Sequence, residues 1–192
     1  MSNEIKDIEM QIYELNEKLT VLRKANPREK VPNYTFDTLE GETSLLDLFG
    51  ENDKLLMIHN MGQGCRYCML WADGFNGFLP HLEQAMSVTL VSKDSPELQR
   101  QFANSRGWRF RLASHGGGAY ISEQTVTPGA VFYERVGDDI FRKNSSEFGP
   151  GDIYCSMWGL LGLAGMGEAD WTPQYNYWKR PLKLDDGGLN VL

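Results

Sequence analysis

The chain has 192 residues, enough for one domain with extensions and a sizeable hydrophobic core. Its formal net charge of −7 argues against nucleic-acid binding, because phosphate contact requires a basic face. No basic run indicates an anionic membrane surface, and no apolar stretch approaches the roughly 20 residues that cross a bilayer. We therefore expect neither a nucleic acid nor a membrane as partner.

The first residues, MSNEIKDIEMQIYELNEKL, are charged throughout and lack the apolar region of a signal peptide. A cytoplasmic location is therefore expected, and thiols are kept reduced in that compartment. The chain contains three cysteines, and an odd number does not favour a scaffold held together by structural disulfides.

Residues 1–26 are predicted to form an amphipathic helix that Pro27 ends. Its apolar residues recur at alternating spacings of three and four and form one narrow stripe on the helix: Ile5, Ile8, Ile12, Leu15, Leu19 and Leu22. Such a stripe packs either against the chain's own domain or against a second copy in a homodimer.

Residues 27–168 are predicted to form one α/β domain. Residues 26–36 are interpreted as an extended linker, since residues before prolines avoid the α conformation. A short helix follows, with Ser44 as N-cap and Gly50 beyond its end. The apolar run KLLMIHNM has the length and composition of a buried central strand. The next segment, from Met69 to Leu82, is predicted to be a helix that its glycines and proline weaken or break.

The segment SVTLVSKD is predicted to be a second strand and is followed by a helix with Ser95 as N-cap and Gly107 beyond its end. A strand, a helix and a strand in this order predict a right-handed βαβ unit with parallel strands. ASHGGGAYISEQTVT is interpreted as a loop without the glycine spacing of a nucleotide site, and no cofactor is expected.

GAVFYERVGDDIFRKN is predicted to be a β-hairpin, and PGDIYCSMWGLLGLAGMG a last, largely buried helix. Residues 169–192 are predicted to be an irregular aromatic tail. The expected fold class is therefore α/β, with a mixed sheet of four strands flanked by helices and an N-terminal helical extension.

Cys65 and Cys68 are the main functional candidates. They follow the carboxyl end of a predicted central strand, where open α/β sheets collect ligands. The first turn of a helix stabilises a thiolate, so the pKa of Cys65 should be lowered, and Arg66 adds positive charge there. We expect Cys65 to attack as the exposed nucleophile and Cys68, one helical turn on, to resolve the mixed disulfide.

His59 lies six residues before Cys65 on the strand that leads to it. Its side chain either exchanges a proton with Cys68 during catalysis or is a core histidine with one satisfied hydrogen bond. Thr127-Pro128 opens the predicted hairpin, and either a trans or a cis peptide bond suits that position.

The stretches LLMIHNMGQGCRYCMLW and VTPGAVFYERVGDDIFR together resemble the thioredoxin fold. That resemblance implies a thioredoxin-like mixed sheet in which a cis-proline, at Pro128, faces the cysteines and the residue before it, Thr127, binds the substrate backbone. We predict Thr127, Pro128, Arg66 and Tyr67 as substrate-binding residues and Cys65, Cys68 and His59 as catalytic residues.

Over nearly its whole length the chain also resembles a bacterial thioredoxin-like family catalogued as a domain of unknown function. The matching stretches are the N-terminal helix, TSLLDLF, HNMGQGCRYCMLWADGFNG, VSKDSPE, GWRFRLASHGGG, FGPGDIYC and DWTPQYNY. The family implies a thiol-redox role by analogy of fold.

Two departures from related proteins are informative. Thioredoxins carry a buried carboxylate where this chain has His59, and their W-C-G-P-C motif is absent. Peroxiredoxins carry a threonine three residues before the reactive cysteine, and this chain has Gly62 there. Direct reduction of peroxides is therefore disfavoured, although the long N-terminal extension is more typical of peroxiredoxins.

The leading hypothesis is a thiol–disulfide oxidoreductase that acts on a protein or small-molecule disulfide and draws electrons from a separate donor. One alternative is a zinc or iron–sulfur site built from the two cysteines, His59 or His115, and Cys155, although one C-x-x-C supplies only half of a four-ligand set. Another alternative is a non-catalytic interaction or dimerisation module. Cys155 is predicted to be a small buried residue.

Overall fold

The computed structural model describes residues 2–124 and 127–175. The described strands are β1 (Glu29–Val31), β2 (Thr35–Thr38), β3 (Gly41–Ser44), β4 (Lys54–His59), β5 (Ser87–Ser92), β6 (Arg111–Ser114), β7 (Gly129–Val136) and β8 (Asp139–Glu147). The described helices are α1 (Asn3–Ala25), α2 (Leu45–Leu48), α3 (Arg66–Leu82), α4 (Pro96–Arg106), α5 (Ala119–Glu123) and α6 (Ser156–Leu163). None of these helices is both long and apolar enough to cross a membrane.

All of these strands form one mixed sheet in the order β1-β8-β7-β4-β5-β6-β2-β3. Strand β4 runs parallel to β5, and β5 runs parallel to β6. Strand β7 pairs antiparallel with both β4 and β8. The predicted βαβ unit, the hairpin and the mixed α/β class are confirmed.

The sheet is larger than the four predicted strands, and the linker predicted over residues 26–36 is wrong. Val31 in β1 pairs with Ile140 in β8, and β2 pairs with β3 and β6. These short edge strands are stabilised by backbone hydrogen bonds to distant segments, so their local sequence carries little signal of them.

The apolar side chains of the central strands alternate between the two faces of the sheet. On one face, Met57 and Val91 pack with α2 and α5, and on the other, Ile58 and Leu90 pack with α3 and α4. Both predicted N-caps are confirmed, since the side chains of Ser44 and Ser95 accept the backbone N–H groups of Asp47 and Leu98.

Three predicted elements differ from the structure. Helix α3 is continuous despite Pro80, because its buried face packs on the sheet and the proline lies in its last turn. The segment predicted as a loop, residues 113–127, contains the end of β6 and helix α5, which buries Tyr120. Helix α6 is not largely buried: of its residues only Trp158 is buried, because one side of it contacts α3 while Leu163 faces solvent.

Candidate active site

The loop between β4 and α3 is held by side chains on both sides. Asn60 is buried, accepts the N–H of Gly62 through Oδ1 at 2.8 Å, and donates through Nδ2 to the carbonyl of Cys68 at 3.3 Å. Asp94 accepts the N–H of Gln63 at 3.1 Å. The start of α3 is therefore fixed relative to β4 and β5 before any ligand binds.

Gly62 is required by the geometry of this loop. Its φ is +88°, a left-handed conformation that L side chains rarely adopt, and a Cβ at this position would collide with the carboxylate of Asp94. The carbonyl of Gly62 accepts the N–H of Cys65 at 3.1 Å. Gly64, two residues on, has open space around it.

Cys65 is the N-cap residue of α3, as predicted from its position between strand and helix. Its Sγ accepts the backbone N–H of Cys68 at 3.2 Å, and the side chain is partly exposed. The Cys68 thiol, which donates to the same sulfur, is the largest cause that lowers the pKa of Cys65 to about 6. The backbone N–H groups of Cys68 and Tyr67 act in the same direction, and burial opposes them.

Cys68 has the opposite character. It is buried, and its pKa is raised far above the ordinary range, first because its thiol donates to Cys65 and then because of burial. The backbone N–H of Met61 donates to its sulfur and acts in the other direction. The two cysteines do not form a disulfide, and their pKa values are shifted in opposite directions, so that of Cys65 is the lower of the two.

His59 is buried at the end of β4 and is hydrogen-bonded to helix α5. Its Nε2 lies 2.5 Å from the hydroxyl of Tyr120, which lies 3.3 Å from the hydroxyl of Tyr133. Burial lowers the pKa of His59 to about 4, and nearby His115 adds to this effect. The imidazole is therefore neutral at pH 7.

His59, Thr127 and Pro128 lie together on a cavity of about 230 Å³. The structure contains no cis peptide bond among the described residues, so the Thr127–Pro128 bond is trans and the implied cis-proline is wrong. Asn60 and Met61, which follow β4 on the way to Cys65, also line this cavity.

Arg66 and Tyr67 are not among the residues that line that cavity. Arg66 is exposed, with its guanidinium 5.9 Å from the ring of Tyr67. The Tyr67 hydroxyl donates to Glu168 at 2.9 Å, and its ring stacks on Trp158. The hydrogen bonds to Cys65, rather than the charge of Arg66, account for the lowered pKa of that thiol.

Cys155 is buried as predicted, between Trp71 and Trp158, and burial raises the pKa of its thiol. Within residues 2–124 and 127–175, no group of three or more His, Cys, Asp or Glu side chains is arranged to hold a metal ion. The donor set of the metal-site hypothesis is therefore not assembled in the described part of the chain.

Lys93 and Tyr175 lie near the site and were not found from the sequence, whereas His115 was considered only as a metal ligand. Lys93 and His115 line the cavity, and the positive charge of Lys93 adds to burial in lowering the pKa of His115. Tyr175 donates through its hydroxyl to the carbonyl of Gly64 at 2.9 Å. The sequence could have indicated Lys93, because it lies near the end of a predicted strand next to the strand that leads to the cysteines. No feature of the sequence indicated Tyr175.

A scan against family models matches residues 4–183 to a family described as "Bacterial protein of unknown function (DUF899)". The chain belongs to the DUF899 family. This agrees with the resemblance inferred from the sequence. A search of curated proteins gave no match.

Solved structures with a similar fold include proteins described as peroxiredoxin-like or as peroxiredoxins. A peroxiredoxin-like protein from Aquifex aeolicus has 17% identity and a TM-score of 0.50, over 62% of this chain and 74% of that one. The bacterioferritin comigratory protein of Xanthomonas campestris has 15% identity and a TM-score of 0.50, over 69% and 92%. A cysteine-to-serine mutant of PrxQ from Xylella fastidiosa has 17% identity and a TM-score of 0.50, over 73% and 98%.

These identities are low, so the comparisons bear on the fold. The DUF899 chain has a thioredoxin-like fold: a mixed sheet flanked by helices, with α1 as an N-terminal extension. The fold class predicted from the sequence is confirmed.

Proposed function

We propose that this protein is a thiol–disulfide oxidoreductase that uses Cys65 and Cys68 as its redox pair. The observation that carries the proposal is the position of Cys65 at the N-cap of α3, where its Sγ accepts the backbone N–H of Cys68 at 3.2 Å. A partly exposed Cys65 with a pKa of about 6 is mostly thiolate at pH 7. The buried Cys68 beneath it remains a protonated thiol.

The reaction is a pair of thiol–disulfide exchanges. The Cys65 thiolate attacks one sulfur of a substrate disulfide, forming a mixed disulfide and releasing the other substrate sulfur as a thiolate. Cys68 then loses its proton to that leaving thiolate or to water and attacks Sγ of Cys65. The second substrate thiol leaves, so the substrate gains two electrons and the protein ends with a Cys65–Cys68 disulfide.

Substrate binding is proposed at the cavity that Thr127 and Pro128 line. Support comes from its position beside the connection from β4 to α3, since His59, Asn60 and Met61 also line it. Arg66 and Tyr67 flank the cysteines on the other side and are proposed to contact a larger, protein substrate. An external dithiol is required to reduce the Cys65–Cys68 disulfide and complete the cycle.

His59 is assigned a structural role under this proposal. A histidine with a pKa of about 4 is a weak base and cannot readily take the proton of a buried thiol. Its hydrogen bond to Tyr120 joins β4 to α5 instead. Of the two roles predicted from the sequence, the core histidine is the one we propose.

The test is a disulfide-reduction assay on the full chain, with insulin and a small aromatic disulfide as substrates and dithiothreitol as donor. Cys65→Ser is expected to abolish protein-dependent reduction, because no other described cysteine combines exposure with a lowered pKa. Cys68→Ser should accumulate a mixed disulfide on Cys65, detected as a mass increase. Cys155→Ser is the matched control and should retain activity.

Full activity of Cys65→Ser would contradict the proposal. Wild-type protein without activity on either disulfide would favour the non-catalytic module. Hydrogen peroxide is assayed in parallel, because a thiolate can also attack a peroxide. We expect slower turnover with peroxide than with disulfide, since Gly62 provides no hydroxyl beside the Cys65 sulfur.

A further inference from the structure

Helix α1 is a long amphipathic element whose apolar stripe is largely exposed, with only Leu19 of the stripe half-buried. None of its 23 residues is buried, and the stripe side chains of Ile5, Ile8, Ile12, Leu15 and Leu22 are between 50% and 64% exposed. Within the described residues, the long-range hydrogen bonds to α1 lie at its C-terminal end, where Arg23 contacts Tyr154 and Asn144 donates to the Arg23 carbonyl. Helices of this kind depend for stability on packing of the apolar face.

We propose that α1 pairs with α1 of a second copy of the chain, in an antiparallel coiled coil that makes the protein a homodimer. The alternating spacing of three and four is the pattern of heptad positions a and d. Position a is taken by Ile5, Ile12 and Leu19, and position d by Ile8, Leu15 and Leu22. This inference does not depend on the proposed function.

The flanking positions e and g decide the orientation. Position g is taken by Glu4, Gln11 and Lys18, and position e by Glu9, Asn16 and Arg23, so each series runs from acid through amide to base. In a parallel pair, each g residue faces the e residue five positions later on the partner. Glu4 would then face Glu9, and Lys18 would face Arg23, and both contacts are repulsive.

Antiparallel pairing replaces both repulsive contacts with attractive ones. When Ile5 packs opposite Leu22, Ile8 opposite Leu19 and Ile12 opposite Leu15, the two-fold axis crosses the middle of α1. In that same register Glu4 lies opposite Lys18, and Glu9 lies opposite Arg23. The remaining flanking residues are uncharged: Gln11 lies opposite Gln11 of the second copy, and Asn16 lies opposite Asn16. One register therefore pairs apolar residues in each of these layers and also places opposite charges opposite each other.

A membrane surface is a less favourable binding partner for this stripe than a second copy of the chain. Helices that lie on membranes are rich in Lys and Arg on the polar face. Helix α1 carries five acidic and four basic residues, so an anionic surface would gain little from it. A second copy offers complementary charge and a complementary apolar stripe at once.

The dimer is tested by sedimentation equilibrium and light scattering on the full chain at micromolar concentrations. Wild-type protein should have twice the 21.8 kDa mass of one chain. Ile12→Glu places a charge in the central layer and should raise the dimer dissociation constant at least 100-fold. Met10→Glu, on the outward face, is the matched control and should leave it unchanged.

The orientation has its own test. Glu4→Lys should weaken an antiparallel dimer, because it places like charges opposite Lys18, and adding Lys18→Glu should restore the affinity. In a parallel dimer Glu4→Lys would strengthen binding by facing Glu9. A monomeric wild type, an Ile12→Glu variant that still dimerises, or stronger binding by Glu4→Lys would overturn the proposal. Near-ultraviolet circular dichroism checks that each variant keeps the folded domain.

Discussion

Cys65 and Cys68 are the same residue type and sit one helical turn apart, yet the fold gives them opposite protonation. Cys65 accepts hydrogen bonds at the N-cap, so its anion is favoured, whereas Cys68 donates and is buried, so its thiol is favoured. The sequence predicted Cys65 as the attacking sulfur and Cys68 as the resolving one, and this asymmetry supports that division of roles in the proposed reaction.

His59 shows how burial sets a protonation state at a single residue. Between pH 6.5 and about 4 the unfolded chain binds a proton on this side chain that the folded chain does not. The free energy of unfolding therefore falls as the pH falls through that interval, by about 3 kcal/mol from this group.

We predict that His59→Gln reduces the loss of stability on acidification. Urea unfolding at pH 7 and pH 4 measures how far the free energy of unfolding falls for each protein. The fall should be smaller in the variant, by up to about 3 kcal/mol. The control, His81→Gln, removes an exposed imidazole and should behave as wild type. An identical drop in His59→Gln and wild type would contradict a buried, neutral His59.

Individual site residues could be predicted where the residue type and the local sequence pattern gave the same indication. Cys65, Cys68 and the buried Cys155 could be placed from spacing and local apolar pattern. The partner of His59 could not, since Tyr120 lies 61 residues away on a helix with no sequence signal. The orientation of Arg66 toward solvent also depends on packing around Tyr67 that local sequence does not encode.

At the scale of elements, the connection from β4 to α3 positions the reactive sulfur. Its conformation depends on one glycine with positive φ and on the Asn60 and Asp94 side chains that hold the loop. An alanine at position 62 would have to move Asp94 and adopt a strained φ.

Gly62→Ala is therefore expected to lower the free energy of unfolding by about 1–3 kcal/mol and to raise the pKa of Cys65 by disturbing its hydrogen bonds. Gly64→Ala is the matched control, because a Cβ there meets open space. Urea unfolding and alkylation rates measure the two effects. If Gly62→Ala and Gly64→Ala had the same free energy of unfolding and the same alkylation rate, the loop would not need a glycine at position 62.

Elements with strong local signals were predicted well. Helices α2 and α4 carry serine N-caps, and α4 also has Pro96 at its start and Gly107 at its end. Edge strand β1 and helix α5 were missed, because their stability comes from segments far along the chain. The apolar composition of α6 was mistaken for burial, although a helix at the edge of a fold exposes one side whatever its composition.

For the whole molecule, the sequence of strand, helix and strand followed by a hairpin was sufficient to predict a mixed sheet of the right class. The full strand order was not predictable, since pairing of β2 with β6 and of β1 with β8 is long-range. The two hydrophobic cores on either face of the sheet hold β4 and α3 rigidly. That rigidity keeps the two sulfurs in the geometry on which the proposed chemistry depends.

The most direct measurement is the pH dependence of Cys65 alkylation by iodoacetamide, followed by mass spectrometry in the Cys155→Ser background. Only the thiolate reacts, so the rate should rise with a midpoint near pH 6 and level off above it. Adding Cys68→Ala removes the largest cause of the shift and should move the midpoint upward. A wild-type midpoint near 8.5, the value of an ordinary thiol, or a midpoint that Cys68→Ala leaves in place, would contradict a Cys65 thiolate stabilised by Cys68.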